Sequence, residues 1–181
     1  MTAIKKVIIT LSALGVLLFG TAIIAGLAMQ LRPRSTVAPQ TTISVAAPPV
    51  TQPPTISELL KLVNEERAKN GVAPLVEDSR LDQSAQRKTD DEVKYNYFGH
   101  ISPNDGKHGY EYINDVGISC KTDGENLSQD TSFARTSDMV IRGWINSKPH
   151  HDAMINPNYS LIGFGISGTD TLQVSAHFCQ Q

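Results

Sequence analysis

The sequence predicts an α+β fold of about four helices and a small antiparallel sheet, set behind a membrane-spanning helix and a disordered linker. Three observations predict it. Apolar residues recur at helical spacing between recognisable start and stop signals. The chain closes on two strand-like runs joined by Gly168-Thr169-Asp170-Thr171, which reads as a hairpin turn. Ahead of both stands an uninterrupted run from Val7 to Leu31 that carries no charge.

At a rise of about 1.5 Å for each helical position, that stretch is long enough to cross a bilayer core. It is longer than the apolar region of a cleaved leader, which favours a signal-anchor over residues 7–31 with a cytoplasmic tail at 1–6. Gly26-Leu27-Ala28 is nevertheless a small-x-small site, so cleavage after Ala28 stays open. Residues 32–54 are rich in Pro, Thr, Ser and Ala and lack apolar periodicity, the composition of an extended tether. The folded domain is then 55–181, long enough for one core.

Within it, Thr55-Ile56-Ser57-Glu58 is a capping-box pattern. Ile56, Leu59, Leu60, Val63 and Arg67 follow on one helical face, and Asn70-Gly71 ends the helix as a left-handed cap would. Pro74-Leu75 restarts the chain. Asp78 or Ser79 caps a second helix through Leu81, Ala85, Thr89 and Val93 to near Asn96. Ser102 to Gly106 is turn chemistry, and Gly109 to Val116 forms a short helix stopped by Gly117. Between Ser132 and Lys148, the residues Phe133, Val140, Ile141, Trp144 and Ile145 line one face, and Pro149 blocks continuation. The closing strands are Leu161 to Ser167 and Leu172 to Phe178, the second alternating at Leu172, Val174, Ala176 and Phe178.

The segment from Met1 to Ile56 holds Lys5, Lys6, Arg32 and Arg34 and no acid, so the rest carries 12 basic against 18 acidic residues, a net charge of -6. Such a surface repels phosphate backbones, which argues against a nucleic-acid partner. If the domain is exported, Cys120 and Cys179 lie where they can oxidise. One disulfide closing a loop of about 60 residues would stabilise the fold by about 4 kcal/mol in the chain-entropy account. In a reducing compartment they are two buried thiols.

No Ser nucleophile elbow, His-Glu-x-x-His, phosphate-cradling Gly loop or dinucleotide fingerprint is present, so catalytic residues are not assigned. His100 beside Gly99 reads, by itself, as a hydrogen-bonded structural group. His150 and His151 are sequence neighbours pointing about 100° apart, so both can hardly enter one site. Gly124-Glu125-Asn126 alone reads as an exposed turn, Trp144 as core, and His108 and His177 as surface or sheet positions.

Six fragments in order change this weighting: Asn64-Glu65-Glu66-Arg67; Leu75 and Leu81 with Ala85; Phe98-Gly99-His100-x-Ser102-Pro103; Gly124-Glu125-Asn126-Leu127; Trp144-x-Asn146-Ser147-x-x-His150; and Ile162-Gly163-Phe164-Gly165. Together they resemble the CAP superfamily (cysteine-rich secretory proteins, antigen 5 and pathogenesis-related proteins), in particular its bacterial extracellular SCP-like branch, over residues 57–181. The resemblance implies a three-layer α-β-α sandwich around a three- or four-stranded antiparallel sheet. It also implies a cavity lined by two His and two acidic residues. Carried over, these are His100, Glu125 and His150, with His151 the solvated neighbour; the fourth position falls on Ser147, so one acid is missing.

Two imidazoles and one carboxylate suit Zn²⁺ or another borderline divalent cation, with Glu125 as direct ligand or as a partner behind one. The bland reading is that the three hydrogen-bond one another and lock the sandwich without a ligand. Three functions follow. The first is a membrane-anchored extracellular binding or envelope-associated module that meets a wall component, lipid or protein. The second is a hydrolase using metal-bound water with Glu125 as base, against which the missing acid counts. The third, lipid or sterol carriage, is implied by some family members, though the chain offers no long apolar helix pair.

Overall fold

The computed structural model describes residues 52–131 and 135–181. The expected tail at 1–6, the span at 7–31, the linker up to residue 51, and Phe133 lie outside them. Among the described residues no helix is long and apolar enough to cross a membrane. Pro54, assigned above to the linker, is buried and so belongs to the domain.

Helix α1 (Ile56–Lys69) starts where Thr55 Oγ1 accepts the Glu58 N–H at 3.3 Å, and ends at Gly71 with φ 71°. Helix α2 (Ser79–Tyr95) is capped by Asp78 and stops at Asn96, whose φ of 51° is left-handed. Both ends match the sequence signals. Helix α3 (Gly109–Asn114) stops short of the expected Val116.

The expected single helix from 132 to 148 is corrected: α4 (Ser137–Ile145) ends at Asn146, and a separate α5 (Lys148–Met154) begins with Pro149 in its first turn. Proline ends a helix only from inside it. In the first turn its missing N–H has no intrahelical partner to lose and its fixed φ is already helical.

Among the described residues the sheet is four-stranded in the order β1 (Val76–Glu77), β3 (Leu161–Ser167), β4 (Leu172–Gln180), β2 (Thr122–Asp130). It is mixed, which corrects the all-antiparallel expectation: β1 runs parallel to β3, while β3 and β2 are antiparallel to β4. A strand as short as β1 cannot show any period, so it left no pattern to find. Strand β2 falls where the sequence reads as a turn, because Thr-Asp-Gly-Glu-Asn-Leu-Ser-Gln-Asp has no apolar alternation. Pairing with β4 along its whole length overrides that weak propensity.

The even-numbered side chains of β3 and β4 (Ile162, Phe164, Leu172, Val174, Ala176, Phe178) pack with Leu59 and Val63 of α1, Val140, Ile141 and Trp144 of α4, and Met154 of α5. The opposite face carries α2 and α3, through Leu81, Ile113, Ile118 and Cys179. The result is the predicted α-β-α sandwich. Arg67, on the apolar stripe of α1, is fully buried and donates to the carbonyls of Ala73, Met154, Asn156 and Tyr159, tying α1 to the α5–β3 connection. Cys120 and Cys179 are disulfide-bonded, as anticipated for an oxidising compartment.

Beyond β1, helix α2 closes the free edge of β3. Asp82 Oδ1 accepts the Phe164 N–H at 2.8 Å and Gln86 Oε1 accepts that of Ile166 at 3.0 Å. An edge strand whose donors are taken offers no template for pairing. Burial pushes the Asp82 carboxyl up to about 6 against the Phe164 hydrogen bond, and the nearby Glu77 and Asp78 add to the rise. Since the folded value exceeds the unfolded 3.8, ionisation erodes stability as pH climbs from about 4 through 6. Asp82→Asn keeps an acceptor for Phe164 and removes that cost. After discounting for partial exposure it should stabilise the domain by about 1 kcal/mol at pH 8. Urea unfolding at pH 8 and pH 4 checks this, with the gain absent at the lower pH.

Candidate functional site

The site forms where β2 faces α2 and α3. Register places Glu125 of β2 directly opposite His177 of β4, on the α2 side of the sheet. The Glu125 side chain is 8% exposed and both its oxygens are engaged: Oε1 lies 2.6 Å from His100 Nδ1 and Oε2 lies 3.0 Å from His177 Nε2. Gly109, the first residue of α3, leaves the room. A Cβ there would sit 2.7 Å from Glu125 Oε2.

His100 is held through the residue before it. Lys88 Nζ donates to the Gly99 carbonyl at 2.7 Å, while the Gly99 N–H points to Glu92 Oε1 at 3.4 Å. Lys88 and Glu92 are themselves paired at 2.9 Å, one turn apart on α2, with both side chains fully buried. Lys88 also donates to Tyr97 Oη at 3.2 Å and lies over that ring. A buried ion pair thus clamps both sides of the Gly99 peptide, and the His100 side chain emerges from it 59% exposed.

His150 comes from α5. Its carbonyl accepts from Asn126 Nδ2 at 3.0 Å, which fastens the helix to β2 one residue past Glu125. Its imidazole is pushed down, first by burial and then by the charge of His100. The hydrogen bond that His100 makes to the Glu125 carboxylate raises the imidazole above its ordinary 6.5, against burial. For Glu125, burial acts upward but the His100 and His177 hydrogen bonds and the charges of His177 and Lys88 outweigh it, holding the carboxyl at about 2.

The structure therefore brings His100 and Glu125 into direct contact, and ties His150 to the neighbouring Asn126 through its backbone carbonyl. No hydrogen bond joins the His150 ring to either residue among the described residues. Ser147 stands at the N-cap of α5 and its hydroxyl caps no N–H. His151 is not a solvated neighbour: its Nε2 lies 3.0 Å from Glu66 Oε1, bridging α5 to α1. Trp144 is core, 1% exposed, donating to the Leu127 carbonyl at 2.9 Å.

Sequence reasoning missed His177, which is fully buried. The alternation that assigned Leu172, Val174, Ala176 and Phe178 to one face also put Gln173, Ser175 and His177 on the other. That polar row on a two-sided, buried strand was the available signal.

Among the described residues no group of three or more His, Cys, Asp or Glu is arranged to hold a metal ion. The Nδ1 contact with Glu125 leaves Nε2 as the ring nitrogen of His100 that has no hydrogen bond among the described residues.

The model of the cysteine-rich secretory protein family, CAP, matches residues 60–181. The uncharacterized protein YkwD of Bacillus subtilis (strain 168) is 38% identical over 108 residues, which are 60% of this chain and 40% of that protein. The crystal structure of an extracellular protein containing a SCP domain from Bacillus anthracis str. Ames superposes with a TM-score of 0.61 at 21% identity, over 70% of this chain and 40% of that one. An outer surface protein from Borrelia burgdorferi gives 0.62 at 20% identity, over 69% and 91%. At these identities the two structures establish the shared fold.

Proposed function

This chain is a member of the cysteine-rich secretory protein (CAP) family, and from that premise we propose that it is a membrane-anchored extracellular binding module, without turnover of its own, carrying a divalent-cation site at His100 and His150. The observation that carries this reading is the engagement of Glu125. A carboxylate with both oxygens occupied and its titration held at about 2 is a poor proton acceptor near neutral pH, which speaks against a hydrolase with Glu125 as base. The disulfide and the likeness to an extracellular protein and an outer surface protein support placement outside the cytoplasm. The uncharged stretch at 7–31 supplies the anchor.

Two imidazoles suit a borderline ion such as Zn²⁺, which when bound would supply a positive anchor for an acidic or carbonyl-bearing ligand. Phe98 and Ile101, 49% and 53% exposed and close to His100 in the chain, give the site an apolar rim, which favours a wall, lipid or protein ligand with an apolar part. The chain spans 40% of the length of YkwD.

Calorimetric titration of the full chain in mild detergent with Zn²⁺ tests the site. Heat is expected from the parent and not from a His100→Ala, His150→Ala double variant; equal heats end the metal reading. Only neutral imidazole binds, and His100 is raised above 6.5, so affinity should begin to fall at a pH above 6.5 as the solution is acidified. His150, being lowered, stays neutral through that range.

A further inference from the structure

The His100–Glu125 contact continues inward. Glu125 Oε2 meets His177 Nε2 at 3.0 Å, and His177 Nδ1 meets Ser84 Oγ at 2.7 Å. Ser84 Oγ is also 2.8 Å from the Leu81 carbonyl, so the hydroxyl is fixed against the backbone of α2. A hydrogen-bonded chain of four side chains therefore runs from Ser84 and His177, neither of which has exposed surface, to a histidine open to solvent. Helix, central strand, edge strand and loop each contribute one member.

The geometry divides the labour. Glu125 has two oxygens and could rotate about its last torsion, which for a carboxylate is a soft, roughly two-fold degree of freedom. His177 removes that freedom by occupying Oε2 from a position that cannot itself shift: its ring is 0% exposed and its other nitrogen is held by Ser84. The backbone of Gly109 packs close to the same carboxylate, where a Cβ would sit 2.7 Å from Oε2. Oε1 is consequently aimed at His100 Nδ1. An ionised carboxylate only accepts, so the proton of a neutral His100 sits on Nδ1, and Nε2 is left bare toward solvent.

We infer that His177 is a positioning residue, which pins Glu125 and through it holds His100 as the Nδ1–H tautomer with Nε2 presented outward. This rests on the binding reading for its use but not for its test. Orienting partners behind a metal-binding histidine typically change affinity by about 10- to 100-fold when removed.

The test compares the full chain with His177→Leu, His177→Gln and His177→Asn. Gln reaches as far as Nε2 and keeps a donor for Glu125, whereas Leu offers none and Asn is too short. Nitrogen-15 NMR of the histidine rings at pH 8.5 should show a bare His100 Nε2 in the parent and in His177→Gln, and a protonated Nε2 in His177→Leu. Zn²⁺ titration should show about a 10-fold or larger loss in His177→Leu, restored in His177→Gln. If burying leucine there prevents folding, His177→Asn carries the same comparison. An unchanged His100 tautomer in a folded Leu or Asn variant overturns the inference. A tautomer that moves while no protein, parent included, binds Zn²⁺ upholds the positioning role and removes the metal reading instead.

Discussion

Gly163→Ala and Gly165→Ala are each expected to cost about 3 kcal/mol, and the double variant is expected not to fold. A Cβ at 163 would lie 2.2 Å from the backbone at Leu81 and Asp82, and one at 165 would lie 2.3 Å from the Ala85 carbonyl group. A clash with a flexible side chain can relax, but these are main-chain atoms of α2. Moving them lifts the whole helix, which would break the Phe164 and Ile166 contacts to Asp82 and Gln86 and pull Ser84 from His177. Gly143 is the control, because it lies on an exposed part of α4 with nothing within 4 Å of an added Cβ. Alanine there should be neutral or stabilise by up to about 1 kcal/mol through helix propensity. Urea midpoints read all three; a Gly163→Ala midpoint equal to the parent's would mean α2 does not rest on β3 as described.

These glycines show where sequence reading stops. Ile162-Gly163-Phe164-Gly165 was legible as the start of a strand, and its apolar members fell correctly on one face. Nothing in the pattern told that the small residues exist to admit a helix backbone, because that requirement belongs to α2, which is remote in the chain. Helix ends were legible for the opposite reason: Thr55, Asp78 and Asn96 act on backbone within one turn of themselves. The two missed strands failed for different causes. β1 is too short to have a period, and β2 carries polar residues on both faces, Glu125 toward His177 and Asn126 toward the His150 carbonyl.

The site followed the same division. His100, Glu125 and His150 were reached through the ordered fragments, and of these the fold brings His100 and Glu125 into contact. What holds them was not legible. His177 lay in plain view on β4, but its worth depends on cross-strand register with Glu125, and the pattern of β2 does not announce a strand. His151 reads as solvated because its partner, Glu66, arrives from α1, distant in sequence. Both errors come from treating a histidine by its neighbours in sequence, when the groups that decide its role arrive through tertiary contact.

The largest loss outside the glycines is expected for Lys88→Met, about 3 to 5 kcal/mol, with most of it recovered in Lys88→Met, Glu92→Leu. The Lys88–Glu92 pair has no exposure at either side chain, so deleting the ammonium strands a carboxylate where solvent cannot reach it. Glu92 is poorly placed to bear this. Its Oε2 already has no hydrogen-bond partner among the described residues, and burial raises its titration even with Lys88 opposing. Replacing both removes the uncompensated charge as well as the attraction, and two apolar side chains of similar volume refill the space. Stability and site should then separate. The double variant regains its urea midpoint, yet Gly99 has lost the donor on its carbonyl and the acceptor facing its N–H, so His100 is no longer fixed before Glu125. Zn²⁺ binding should stay impaired in a protein that folds normally, which a purely structural role for the pair does not predict. A single variant that loses under about 1 kcal/mol, or a double variant less stable than the single, would show that the buried pair is not the clamp beneath the site.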